Sequence, residues 1–317
     1  MHNPEPPPKP AIKTQDVIPL PVITKQPRIA KVMPAHPIAI SPTPQRPAKV
    51  TAICMTFGYG GTPYQRLVEE SVQSFLLQTY PNKELLIIND TPGSKLKCNA
   101  HGVTVINLHK RIHSLGEKLQ IGLSMAEEYV AIWDDDDIHL KGRLEQGITA
   151  LQNHTNLFMY NSHHYWFWPV GKHGEDTYHG ITHPGTFGYG LMTAVFRRDM
   201  AVAKYLVPPM TGDYDKYFME GVANHKLPIL EPVLPPEQWQ YIYRWGVSRH
   251  HASGGVPNVK YQEAGSLPIV PGEHMLTPRW LQPYDKFVNQ ALLNKTQREG
   301  VKYVEEYVGD PNEAKTV

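Results

Sequence analysis

Four consecutive carboxylates, Asp134-Asp135-Asp136-Asp137, directly follow the apolar run Tyr129-Val130-Ala131-Ile132-Trp133. Adjacent carboxylates repel one another, and at the end of a buried strand they cannot all be freely solvated, so the pattern asks for a cation to offset them. Carboxylate oxygens suit a hard divalent ion, Mg²⁺ or Mn²⁺. Side chains i and i+2 of an extended segment point the same way, which aims Asp134 and Asp136 at one site. The competing reading is a solvated acidic turn, with Asp137 capping a helix that begins near Leu140. Two other segments carry possible chemistry. Asn161-Ser162-His163-His164-Tyr165-Trp166-Phe167-Trp168 is dense in rings that could stack on a sugar or a base, or plug a sheet. His183-Pro184-Gly185-Thr186-Phe187-Gly188-Tyr189-Gly190 is Gly-rich but has no Lys-Ser/Thr after it, so it is not a P-loop and reads as a flexible loop.

The elements that must hold these residues read as alternating strands and helices. Val50 to Phe57 is a β-rich run that ends in Gly58-Tyr59-Gly60-Gly61, as a buried parallel strand does before its loop. In Tyr64 to Gln78 the apolar positions Val68, Val72, Phe75 and Leu76 share one helical face. Glu84 to Asp90 and Val103 to Asn107 follow as strands, then a helix from about Leu115 to Glu128, then the strand before the aspartates. This order predicts an open α/β sheet with right-handed crossovers, whose ligands gather at the carboxyl ends of the strands. Beyond residue 150 the pattern weakens. Leu157 to Tyr160, Leu191 to Phe196 and Gln240 to Trp245 read as strands, Asp215 to Asn224 as a helix, and 283 to 308 as a C-terminal helical segment.

The 317 residues divide unevenly in composition. Residues 1 to 48 hold 13 of the 30 prolines and six basic against two acidic residues. Proline lacks the amide donor that helix interiors and central strands need, so this arm builds no core and reads as extended chain or a strap. The body then carries 25 basic and 28 acidic residues, a net charge near −3, which gives no polyanion-binding surface by bulk charge. Cys54 and Cys98 stand in no metal-ligand spacing and are too few for a disulfide framework, which suits a reducing compartment. No apolar run reaches 18 residues, and Met1-His2-Asn3-Pro4 opens into prolines instead of a secretory leader. The expectation is a soluble cytoplasmic protein.

Taken together, Gln78-Thr79-Tyr80-Pro81-Asn82-Lys83-Glu84-Leu85-Leu86-Ile87-Ile88-Asn89-Asp90, Ala131-Ile132-Trp133-Asp134-Asp135-Asp136-Asp137 and Arg143-Leu144-Glu145 resemble the family 2 glycosyltransferases of GT-A fold. In that family a helix ends in Q-T-Y-P, a strand ends in D-D or N-D, and a later strand ends in a D-x-D motif. The resemblance spans about residues 50 to 225. It implies a Rossmann-like open mixed sheet flanked by helices at 49–255, with the arm at 1–48 and a helical extension at 256–317. It implies that Thr56 and Asp90 contact the base and ribose of a nucleotide-sugar, UDP-sugar foremost, and that Lys118 meets the base or diphosphate. Asp135 joins these nucleotide contacts. Asp134 and Asp136 would hold Mn²⁺ or Mg²⁺, completed by His250 or His251, with His251 favoured. Thr211-Gly212-Asp213-Tyr214-Asp215 resembles the segment that carries the catalytic base, with Gly212 in place of the family's usual Glu. Asp213 aligns with the base and Asp215 is the alternative.

The implied activity is metal-dependent, inverting transfer of a sugar to an acceptor hydroxyl. The acceptor is open among glycan, lipid, protein and hydroxymethylated DNA. A nucleotidyltransferase and a non-catalytic nucleotide-sugar binding protein are the rival readings.

Overall fold

The computed structural model describes residues 47–112, 114–169, 190–204, 206, 214–245 and 269–280, with the single positions 284, 286, 288, 289 and 292. Residues 1–46 of the arm, residues 183–189 of the Gly-rich segment, Asp213, His250 and His251 lie outside the described residues. The described residues belong to one compact unit that begins at Arg46.

Seven strands make the main sheet: β1 (Val50–Thr56), β2 (Lys83–Asn89), β4 (Val103–Asn107), β5 (Tyr129–Ile132), β7 (Met159–Tyr160), β9 (Val195–Arg197) and β10 (Ile229–Leu230), in the order β10-β7-β9-β5-β1-β2-β4. β1 runs parallel to both β2 and β5, and β2 runs parallel to β4. β9 is antiparallel to β5 and to β7, which makes the sheet mixed. Both faces of β1 are buried, so its run is apolar without alternation, as a central parallel strand requires.

Helices cover the two faces. Ala52, Cys54, Leu85 and Ile87 pack against Val68, Val72 and Phe75 of α1 (Gln65–Leu76) and against Leu144, Ile148 and Leu151 of α3 (Arg143–Asn153). Ile53, Ile88, Val130 and Ile132 face Leu119 and Leu123 of α2 (Leu115–Met125), Ala201 of α4 (Arg198–Ala203), and Phe218 and Val222 of α5 (Tyr214–Asn224). α2 lies close to β1 because residue 122 is glycine: a β-carbon there would stand 2.7 Å from Ile53. Ser114 caps α2 through the Glu117 amide.

Two small sheets complete the unit. β6 (Ile138–His139), β11 (Tyr241–Trp245) and β8 (Trp166–Pro169) pair beside the acidic run, and Trp166 packs on Trp239 with ring centroids 4.9 Å apart. Tyr165 and Trp166 of the aromatic segment are therefore core. β3 (Ser94–Lys97) pairs in parallel with β12 (Gly272–Met275), a strand within the stretch expected to form the helical extension. The helical expectation for 283–308 falls mostly outside the described residues, although 284, 286, 288, 289 and 292 are helical.

Candidate nucleotide and metal site

The carboxyl ends of β1, β2 and β5 lie side by side in the sheet, which brings Thr56, Asp90 and the acidic run to one edge. Each strand is buried up to its last residue, and the polar residues begin where the strand ends.

Asp90 is fully buried and is engaged on both oxygens. Its Oδ1 pairs with the Lys118 ammonium at 2.6 Å and the Arg111 guanidinium at 2.9 Å, and its Oδ2 accepts the Ile112 amide at 2.8 Å. Lys118, on α2, is 2% exposed and also donates to the Thr56 carbonyl at 3.2 Å. Burial pulls the Lys118 ammonium below its ordinary range, and Asp90 restores part of that loss by charge and by hydrogen bond. Arg111 stacks its guanidinium 3.3 Å from the Phe57 ring centroid and keeps 35% of its side chain exposed. The sequence reading missed Arg111. Its only signal is a basic residue in the loop between a strand and a helix cap, which many solvated loops share.

The acidic run leaves the strand as a bend, and its four carboxylates part company. Asp134 and Asp137, not Asp134 and Asp136, meet on one group: the Tyr241 hydroxyl donates to Asp134 Oδ2 at 3.0 Å and to Asp137 Oδ2. Asp137 Oδ1 also accepts the Arg244 amide at 2.6 Å. Asp135 turns toward Thr56 and Lys118. Desolvation first, then the Asp136 and Asp134 carboxylates, hold the Asp135 carboxyl well above the ordinary range, and the Thr56 hydroxyl and Lys118 pull the other way. Asp137 is raised too, by burial and then by Asp136 and Asp134, against its bonds from Arg244 and Tyr241.

Asp136 remains. It is 8% exposed, and among the described residues no hydrogen-bond donor reaches its carboxylate. The Asp136 carboxylate, set beside neighbours whose protons are held first by burial and then by carboxylate repulsion, fits a hard divalent ion. Among the described residues no three His, Cys, Asp or Glu side chains converge into a full protein cage. That is compatible with an ion held by one or two carboxylates whose other positions go to water and substrate phosphates.

The backbone beneath the run is pinned from several sides. Ser71 Oγ of α1 donates to the Asp134 carbonyl at 2.6 Å, and Trp133 Nε1 donates to the Ser71 carbonyl at 3.1 Å. Arg143 lays its guanidinium 4.9 Å from the Trp133 ring centroid and donates to the carbonyls of Ile132 and Met192 at 2.6 and 2.8 Å. Burial lowers the Arg143 pKa to about 10, against the support of Asp134 and Tyr241. His139 sits against Trp133, and burial followed by Arg143 and Arg244 drives its imidazolium form well below the ordinary range. Asp215 stands in the first turn of α5.

The family model described as glycosyl transferase family 2 matches residues 64–196, which run from the start of α1 to β9 and include Asp90, Lys118 and all four aspartates. Thr56, Asp213, Arg244 and His251 fall outside the matched stretch. An uncharacterized glycosyltransferase of Rickettsia typhi is 31% identical over 103 residues, covering 31% of this chain and 31% of its own. One from Haemophilus influenzae is 31% identical over 102 residues, covering 29% of this chain and 31% of its own. One from Rickettsia bellii is 28% identical over 128 residues, covering 38% and 18% respectively. The chain thus spans less than a third of the length of these curated relatives. Among solved structures, the mannosyltransferase PcManGT of Pyrobaculum calidifontis, in complex with GDP-Man and Mn²⁺, aligns at a TM-score of 0.43 and 14% identity over 85% of this chain and 80% of its own. S. aureus TarS aligns at 0.43 and 15% identity, over 63% and 37%. No helix among the described residues is long and apolar enough to cross a membrane. Residues 64–196 are a family 2 glycosyltransferase domain.

Proposed function

We propose that the chain transfers a sugar from a nucleotide-sugar, with UDP as the nucleotide, to an acceptor hydroxyl, with a divalent ion bound and with inversion at the anomeric carbon. The observation that carries this reading is the donor-less Asp136 carboxylate inside a four-aspartate bend, set at the same strand edge as the Asp90-Lys118-Arg111 cluster, within a family 2 domain.

Asp134 and Asp136 would hold Mn²⁺ or Mg²⁺, with His251 as a further ligand from outside the described residues. When bound, the ion offsets the negative charge that builds on the departing diphosphate. The protein's own groups do the rest. Asp90 has no free oxygen and acts by fixing Lys118 and Arg111. The buried Lys118 ammonium places a positive charge beside Thr56 and Asp135, where the nucleotide would lie. Arg111, braced on Phe57, presents its exposed edge to the base or ribose. Asp213 receives the acceptor proton as the acceptor oxygen attacks, with Asp215 the second choice.

The test is incubation of the protein with UDP-sugars and Mn²⁺, read as slow UDP release together with the thermal shift caused by UDP plus Mn²⁺. Release that depends on the metal supports the reading. No release from any donor, combined with no thermal shift, removes it.

A further inference from the structure

The C-terminal stretch is joined to the acidic bend by a buried relay of polar groups. Helix α1 buries an acidic side as well as an apolar one: Glu69 and Glu70 are 6% and 3% exposed. Gln65 donates to Glu69 Oε1 at 2.8 Å within the helix, and the further partners of Glu69 and Glu70 come from residues more than 170 positions away. Glu69 Oε1 accepts the Thr277 amide at 3.1 Å, and Gln65, one turn earlier, donates to the Met275 carbonyl at 2.9 Å. Glu70 Oε1 accepts the Tyr284 hydroxyl at 2.9 Å, and its Oε2 pairs with Arg244 at 2.6 Å.

Arg244 completes the relay. Its Nε donates to the Asp136 carbonyl, its amide donates to Asp137, and its guanidinium also meets the Tyr284 hydroxyl at 3.2 Å. Burial works against the Arg244 charge, yet Tyr284, Glu70, Asp137 and Asp136 more than offset it, so the group stays firmly cationic. A guanidinium is a rigid fork, and here its nitrogens reach the acidic bend, helix α1 and Tyr284 together. The position of the Asp136 backbone is thus set by Arg244, the pose of Arg244 by Glu70, and the pose of both by Tyr284.

We propose that Tyr284 is a positioning residue for the metal-binding bend, acting through Glu70 and Arg244, so that the C-terminal stretch belongs to the donor site although it lies outside the family 2 domain. The inference rests on the reading that Asp136 binds a divalent ion. Replacing Tyr284 by Phe keeps the ring and its packing on Trp280 and removes only the hydroxyl, leaving the Glu70–Arg244 pair in place.

The experiment is titration of Mn²⁺ into the full-length protein, with and without UDP, followed by the electron paramagnetic resonance signal of free Mn²⁺ at a temperature well below unfolding. Tyr284→Phe should remain folded by circular dichroism and weaken Mn²⁺ binding by roughly two- to tenfold, the range for one lost buried hydrogen bond. Glu70→Asp keeps the charge but withdraws it from both partners; it should weaken binding at least as much, and it decides the matter if Tyr284→Phe does not fold. A purely structural hydroxyl would lower the melting temperature without changing Mn²⁺ affinity in the folded protein. Wild-type affinity in a folded Tyr284→Phe variant therefore overturns the inference. Failure of the wild-type protein itself to bind Mn²⁺, with or without UDP, overturns the metal reading and this inference with it, and is told apart because the loss is already present before any substitution.

Discussion

Asp90→Asn is the most informative single substitution because it converts one buried ion pair into an unpaired buried charge. Lys118 is 2% exposed and Asp90 is fully buried, with 2.6 Å between the ammonium and Oδ1. Removing one partner of such a pair costs about 3–5 kcal/mol, a large share of the roughly 5–15 kcal/mol that holds a domain together. The Arg111 contact adds little, since that side chain is one-third exposed and solvent screens it. The amide oxygen of the substituted side chain can still accept the Ile112 amide, so the loss is chiefly electrostatic. The pH dependence gives a second reading. Lys118 already titrates below its ordinary 10.5 in the folded protein, and without Asp90 it falls further. The unfolded chain then binds a proton that the folded chain binds less well, so stability rises with pH between the folded value and 10.5. The deficit of Asp90→Asn should therefore shrink as the buffer is taken from about pH 7 toward about pH 10. The double variant Asp90→Asn/Lys118→Met, which removes the stranded charge, should regain most of the lost stability at neutral pH. Chemical denaturation followed by circular dichroism measures all three. A single-variant loss below about 1 kcal/mol, or a double variant no more stable than the single, would refute the view of Asp90 as the counter-ion that holds Lys118 in place.

Further outcomes follow from the same geometry. Asp136→Ala should abolish the thermal shift produced by UDP plus Mn²⁺ while leaving the fold intact, because no donor among the described residues depends on its carboxylate. Asp213→Ala should keep that shift and lower sugar transfer by roughly 10²–10⁴-fold, the usual worth of a general base, and normal transfer would move the role to Asp215. Chelation with EDTA should leave the far-ultraviolet circular dichroism spectrum unchanged, since Tyr241 and Arg244 already hold Asp134 and Asp137 without a ligand. Gly122→Ala would drive a methyl group to 2.7 Å from Ile53 and should cost about 1–3 kcal/mol in denaturant midpoint experiments.

What the sequence made legible is what continuous burial writes into it. β1, β2 and β5 are runs rich in apolar residues because both faces of a central strand are covered, and α1 and α2 carry apolar residues at helical spacing because they lie on the sheet. β3 reads Ser-Lys-Leu-Lys and has only one side against the body, so nothing in it announces a strand, and its partner β12 lies far along the chain. The antiparallel course of β9 was equally hidden, since direction depends on the connections and not on the run itself. The acidic run was conspicuous as chemistry, but its internal division was not. The i, i+2 argument assumes extended chain, and the bend places Asp134 with Asp137 on Tyr241 instead. Glu70 and Arg244 were unreadable for a related reason: a charge on a helix or at a strand end looks solvated until the partner that buries it is known.

The distribution of partners also explains why four aspartates can follow one strand. A run of like charges in a buried bend is eased when its carboxylates are dispersed onto polar groups from different elements. Asp134 and Asp137 share a phenol, Asp137 adds a backbone amide, and Asp135 faces Thr56 and the Lys118 ammonium. These groups come from β1, α2 and β11, so the bend is held from three elements before any ligand arrives. Asp136 is the residue left over, and its own backbone carbonyl is the atom that Arg244 grips. Its carboxylate is thus carried on a backbone fixed by a buried cation. Such fixing suits the ion and diphosphate of the proposed reaction, which would then be met without reorganisation.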